Sequence, residues 1–138
     1  MKFFAVIDTN VFVSAALKPD SVPRQILELA LNGVIVPVLN NEILDEYQDV
    51  LSRPKFAFSE QIVKDLVSEI DNAGIHIDAE PIDIELDDPD DLVFYEVVMD
   101  ARKNDDAYLV TGNIKHFPEK PFIVTSRQMI ELILKSMN

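Results

Sequence analysis

Apolar and polar positions along this chain fall into blocks whose period switches between that of a strand and that of a helix. Lys2–Ile7 is short, aromatic and β-branched, which predicts a strand. Asn10–Leu17 reads as a short helix stopped near Pro19. Ser21 caps a second helix, with Ile26, Leu27, Ala30 and Leu31 turned inward and Gly33 just past its end. Val34–Leu39 is a second strand. A helix then runs from Asn41 to about Leu51, broken by Ser52-Arg53-Pro54-Lys55-Phe56. Ser59–Ala73 is amphipathic, with Ile62, Leu66 and Ile70 as its inward stripe and Gly74 as its stop. Ile75–Asp78 is a third strand, and Asp88-Pro89 opens a helix to about Lys103. Ala107–Thr111 is a strong strand, Phe122–Thr125 a last short one, and Ser126–Ser136 a last helix. The acidic stretch Glu80–Asp91 is the long loop.

Strands alternating with helices predict an α/β fold: a three-layer α/β/α sandwich around a parallel sheet of four to five strands. With 138 residues, no internal repeat and no break in composition, residues 1–138 are expected to form a single domain. There is no Cys, which excludes disulfides and thiolate metal sites, and two His (His76 and His116) cannot build a zinc site without carboxylates. No apolar stretch approaches the roughly 18–20 residues of a membrane span, so a cytoplasmic protein is expected. The net charge of −13, from 25 acids against 12 bases, runs against nucleic-acid binding. Either the substrate is not nucleic acid, or the acids gather at a metal that itself supplies positive charge.

The placement of the acids bears on that choice. Asp8 ends the first strand and is followed at once by Thr9-Asn10 and a helix, so it stands at the carboxyl edge of the sheet, where α/β proteins put their chemistry. On the helix from Asn41, the apolar stripe is Ile43, Leu44, Tyr47, Val50 and Leu51, and Glu46 is the acid nearest its rim. Glu42, one turn earlier, is its substitute. Asp88-Pro89-Asp90-Asp91 is a sufficient helix start by itself, yet Asp91 lies on the inward side with Phe94 and Val98, where an acid needs a partner. Thr111-Gly112-Asn113 ends a buried strand at the same edge as Asp8 and reads equally as an ordinary turn. Asp105 and Asp106 lie at the opposite edge and are set aside.

In order and spacing, Asp8-Thr9-Asn10, Leu44-Asp45-Glu46-Tyr47, Asp91 and the block Val110-Thr111-Gly112-Asn113-Ile114-Lys115-His116-Phe117 resemble the PIN-domain family. The resemblance runs over nearly the whole chain and is closest to the VapC-like toxins of type II toxin–antitoxin systems. It implies a Mg²⁺- or Mn²⁺-dependent endoribonuclease. By resemblance Asp8, Glu46 and Asp91 are the catalytic, metal-binding acids, Asn113 fills a fourth catalytic position, Thr9 and Asn10 support Asp8, and Thr111 is a further supporting residue. Many members have an acid where this chain has Asn113, and the neutral amide favours one metal site over two. Lys115, His116 and Arg24 are candidate substrate contacts. A cognate antitoxin bringing an Arg or Lys to the carboxylates, and a homodimer, are the implied protein partners. The alternative is a catalytically degenerate PIN fold that binds protein. A haloacid-dehalogenase-type phosphatase would carry a second Asp where Asn10 stands, and a receiver domain would need an acid pair and a late Lys that this chain does not offer.

Overall fold

The computed structural model describes residues 2–137 and contains five parallel strands and six helices in alternation. The strands are β1 (Phe3–Ile7), β2 (Ile35–Leu39), β3 (Ile75–His76), β4 (Ala107–Val110) and β5 (Ile123–Val124). The helices are α1 (Thr9–Leu17), α2 (Val22–Leu31), α3 (Asn41–Leu51), α4 (Glu60–Ala73), α5 (Leu92–Ala101) and α6 (Ser126–Ser136). The sheet order is β3-β2-β1-β4-β5, so the chain winds outward from β1 in one direction and returns to its other side at β4. The strand order therefore reverses between β1 and β4, and the crevice at their carboxyl ends is the natural place for a site in such a sheet.

Consecutive residues Ala5, Val6 and Ile7 are all buried, as are Leu109 and Val110, which requires helices over both faces of the sheet. Their β-branched and aliphatic side chains suit that two-sided burial. The helix ends follow local chemistry. The Ser21, Asn40 and Ser59 side chains each accept the backbone N–H three residues on, and Thr125 with Gln128 closes a capping box on α6.

Several expectations are corrected. On α4 the buried stripe is Val63, Val67 and Ile70, whereas Ile62 is 53% exposed and Leu66 half-buried. Ile62 and Val63 are both apolar, so the sequence allows two phases, and docking against β2 selects the second. Leu31 is exposed, because α2 ends there before the positive-φ turn at Gly33. β3 stops at His76, although the Ile77 N–H still donates to the Leu39 carbonyl. β5 is two residues long, and a single 3₁₀ turn (Pro89–Asp91), with the Asp88 side chain accepting from the Asp90 N–H, precedes α5. Gly74 serves close approach: a Cβ there would lie 2.8 Å from the Pro37 carbonyl oxygen.

Candidate active site

The end of β1 is held from three sides. Asp8 donates its N–H to the Val110 carbonyl of β4 at 2.9 Å, and its own carbonyl accepts from Val11 and Phe12 in the first turn of α1. This fixes the backbone so that the side chain, only 3% exposed, lies in the β1–β4 crevice. There Asp8 Oδ2 accepts a hydrogen bond from Thr111 Oγ1 at 2.6 Å, and Thr111 Oγ1 accepts the Asn113 N–H at 3.0 Å. The turn after β4 is thereby locked to the acid at the end of β1. Burial raises the Asp8 pKa, opposed first by the Thr111 hydrogen bond and then by the nearby N–H groups of Asn10 and Thr9.

Glu46 reaches the same place from α3, and its Oε2 accepts from Thr9 Oγ1. Its pKa is also raised, first by burial and then by Asp90, Asp8 and Asp88, with the Thr9 hydroxyl working the other way. Glu42 is exposed and, among the described residues, forms no such bond, so the structure separates the two acids that helix phase left as alternatives. Asp91 ends the 3₁₀ turn before α5. Burial, then the charges of Asp8 and Asp88, push it up to about 6, while His116 opposes this from 3.6 Å (Nδ1 to Oδ2). Beside this cluster, Glu42, Glu46, Asp90 and Glu96 line an acidic groove of about 220 Å³.

The supporting residues differ in detail from their expected roles. The Thr9 hydroxyl holds Glu46, while its backbone N–H serves Asp8. Asn10 contributes its backbone N–H while its side chain is exposed, and Asn113 contributes its N–H to Thr111. Lys115 is exposed on the turn beside His116. Arg24 is a correction: its guanidinium donates to the Ala15 carbonyl at 2.6 Å and the Ala16 carbonyl at 3.4 Å, so it closes the end of α1. Its position was legible only as a charge, not as a contact. Tyr47, read from the sequence as core, carries a buried hydroxyl that donates to the Ile7 carbonyl at 2.5 Å.

Among the described residues, no three His, Asp or Glu groups lie close enough together to surround one ion as they stand. Their chemistry nevertheless suits a hard divalent cation. The donors are all oxygen, three carboxylates are desolvated, and His116 opposes the charge of Asp8 and Asp91. Mg²⁺ keeps several waters and needs only one or two direct carboxylates. Burial is the main cause of the raised pKa of Glu46 and Asp91, and the neighbouring carboxylates add to it.

The family described as PIN domain matches residues 5–115. The chain is also 28% identical over 116 residues to the uncharacterized protein MJ1680 of Methanocaldococcus jannaschii, covering 82% of this chain and 72% of that protein. No solved structure matches it significantly.

Proposed function

The chain belongs to the PIN domain family, a nuclease-type fold, and from that footing we propose that it is a divalent-metal-dependent endoribonuclease acting as the toxin of a toxin–antitoxin pair. The observation that carries this reading is the convergence of Asp8, Glu46 and Asp91 on one crevice, each with its proton affinity raised by burial. Asp8, Glu46 and Asp91 would hold a Mg²⁺ or Mn²⁺ ion. When bound, such an ion neutralises a phosphodiester and makes a water a better nucleophile.

The chain's own residues do the rest. Thr111 aims one Asp8 oxygen and Thr9 aims Glu46, each by donating a hydroxyl proton to the carboxylate. Asn113 sets the turn that holds Thr111 and offers a neutral amide at the fourth position. His116 lies 3.6 Å from Asp91, and Lys115, exposed on the same turn, would offer positive charge to an approaching strand. In this reading water adds to phosphorus as the P–O3′ bond breaks and the 3′ oxygen leaves with a proton, so no 2′-hydroxyl takes part and the ends would be 5′-phosphate and 3′-hydroxyl.

The whole 138-residue chain acts as one domain in this reading. The protein partners are an antitoxin whose Arg or Lys enters the acid cluster, and a second copy. An open groove of about 360 Å³ between α2 and α4, with Leu31 and Ile62 exposed along it, favours protein docking. That groove, Asn113 and the charge of −13 also favour the second reading, a degenerate PIN fold that only binds protein. Among the described residues no helix is long and apolar enough to cross a membrane, and the proposed place of action is the cytoplasm.

The deciding experiment is incubation of purified protein with a structured RNA in Mg²⁺, Mn²⁺ or EDTA, followed by end-group analysis. Metal-dependent cuts with 5′-phosphate ends are expected. A folded protein that cuts nothing under any of the three conditions favours the binding module.

A further inference from the structure

Among the described residues, α3 makes only two side-chain hydrogen bonds beyond itself and its caps, one to the last residue of β1 and one to the first residue of α1. They leave from adjacent positions on the helix, Glu46 and Tyr47, and land on Thr9 and Ile7, the two neighbours of Asp8. The remaining attachment of α3 is apolar packing, which resists separation but has no direction. Hydrogen bonds do have direction. The Tyr47 bond is the more rigid of the two: its ring is 2% exposed, stands edge-on to Phe12 (centroids 4.4 Å apart, planes at 81°), and lies 6.5 Å from Phe94. A hydroxyl on a ring so enclosed has nowhere else to swing.

This bond works against a specific load. Asp8 and Glu46 are carboxylates brought to one crevice by these same elements, Glu46 being bonded to Thr9, the chain neighbour of Asp8. Repulsion between them pushes α3 away from β1. The Thr9 hydroxyl resists through Glu46 itself and lets go when a cation draws that carboxylate. The Tyr47 hydroxyl holds the Ile7 backbone and does not depend on either acid.

We propose that Tyr47 is a positioning residue: through the Ile7 carbonyl it sets the separation of Asp8 and Glu46, and so the affinity of the pair for a divalent cation. This rests on the reading that those acids hold the metal. It gives Tyr47 a task that its place in the apolar stripe of α3 does not reveal.

The test is Mn²⁺ binding to the full-length, metal-free protein, followed by the electron paramagnetic resonance signal of free Mn²⁺. Tyr47→Phe keeps the ring and its Phe12 contact and removes only the donor. Loss of a direct outer partner to a metal ligand costs about tenfold or more in affinity; Tyr47 acts one residue further out, through Ile7, so a Kd weaker by roughly threefold to tenfold is expected. An amine in place of the hydroxyl (4-aminophenylalanine at position 47) restores a donor and is expected to return most of that loss. Ile133→Val, a core change on α6 away from this bond, lowers stability and is expected to bind Mn²⁺ as wild type does. A merely structural Tyr47 would behave like Ile133→Val, so an unchanged Kd for Tyr47→Phe overturns the proposal while leaving the metal site intact. Should the Phe variant not fold, Phe12→Leu, which frees the Tyr47 ring but keeps its hydroxyl, must weaken Mn²⁺ binding, and an unchanged Kd again overturns the proposal. Wild type that binds no Mn²⁺ overturns both this proposal and the reading beneath it.

Discussion

Replacing Asp91 by Asn should make the metal-free protein more stable at neutral pH. The Asp91 side chain is 15% exposed, and its pKa is raised from 3.8 to about 6, mainly by burial and then by Asp8 and Asp88. An acid whose folded pKa is raised binds its proton more tightly in the fold than in the unfolded chain. Its contribution is therefore fully present below pH 3.8 and is lost as pH rises through about 6. At about 1.4 kcal/mol per tenfold change in proton affinity, keeping Asp91 ionised in the fold at pH 7 costs about 3 kcal/mol. Asparagine is nearly isosteric and never ionises, but its amide still loses hydration on burial, so the net gain is about 1–3 kcal/mol. The assay is urea denaturation in EDTA at several pH values, since urea does not screen charge. The Asn variant should exceed wild type most above pH 6, with the difference shrinking between pH 6 and pH 4. Added Mn²⁺ should stabilise wild type and leave the variant nearly unmoved. An Asn variant no more stable than wild type at pH 7 would refute the claim that an uncompensated charge is stored at this position.

Three other changes probe the scaffold of the site. Thr111→Val removes the 2.6 Å donor to Asp8, a bond to a charged group worth about 1.5–3 kcal/mol, and should raise the Asp8 pKa further; denaturation and carboxyl NMR titration read both effects. Arg24→Gln should lower stability by about 1–2 kcal/mol through the freed carbonyls of Ala15 and Ala16, while RNA binding measured by fluorescence anisotropy stays unchanged. Gly74→Ala forces a methyl to within 2.8 Å of the Pro37 carbonyl and should cost about 1–3 kcal/mol in thermal or urea unfolding.

The alternation of strands and helices was legible because buried parallel strands are short unbroken apolar runs and the helices between them are amphipathic. Asp8 and Thr111 could be placed at one edge for the same reason, since a strand's end fixes where its last side chain lies. Glu46 needed helix phase as well, and phase alone left Glu42 open until the Thr9 bond separated them. Phase failed on α4, where adjacent Ile62 and Val63 gave two equally apolar stripes and only tertiary packing chose between them. Arg24 was misjudged because charge says nothing of which carbonyls lie nearby. The second role of Tyr47 was hidden for a related cause: its ring belongs to the core pattern, and the partner of its hydroxyl, Ile7, lies 40 residues away in the chain. Thr9 follows Asp8 in sequence, so it was assigned to that acid, yet its hydroxyl is turned across to α3.

The account stands most directly on cleavage of one end-labelled RNA by wild type, Asp8→Asn and Asp91→Asn, purified in parallel and assayed with Mn²⁺ and with EDTA. It predicts cutting by wild type in Mn²⁺ alone, and none by either variant although both remain folded. Equal cutting by all three preparations would mean that these carboxylates do not form the active site.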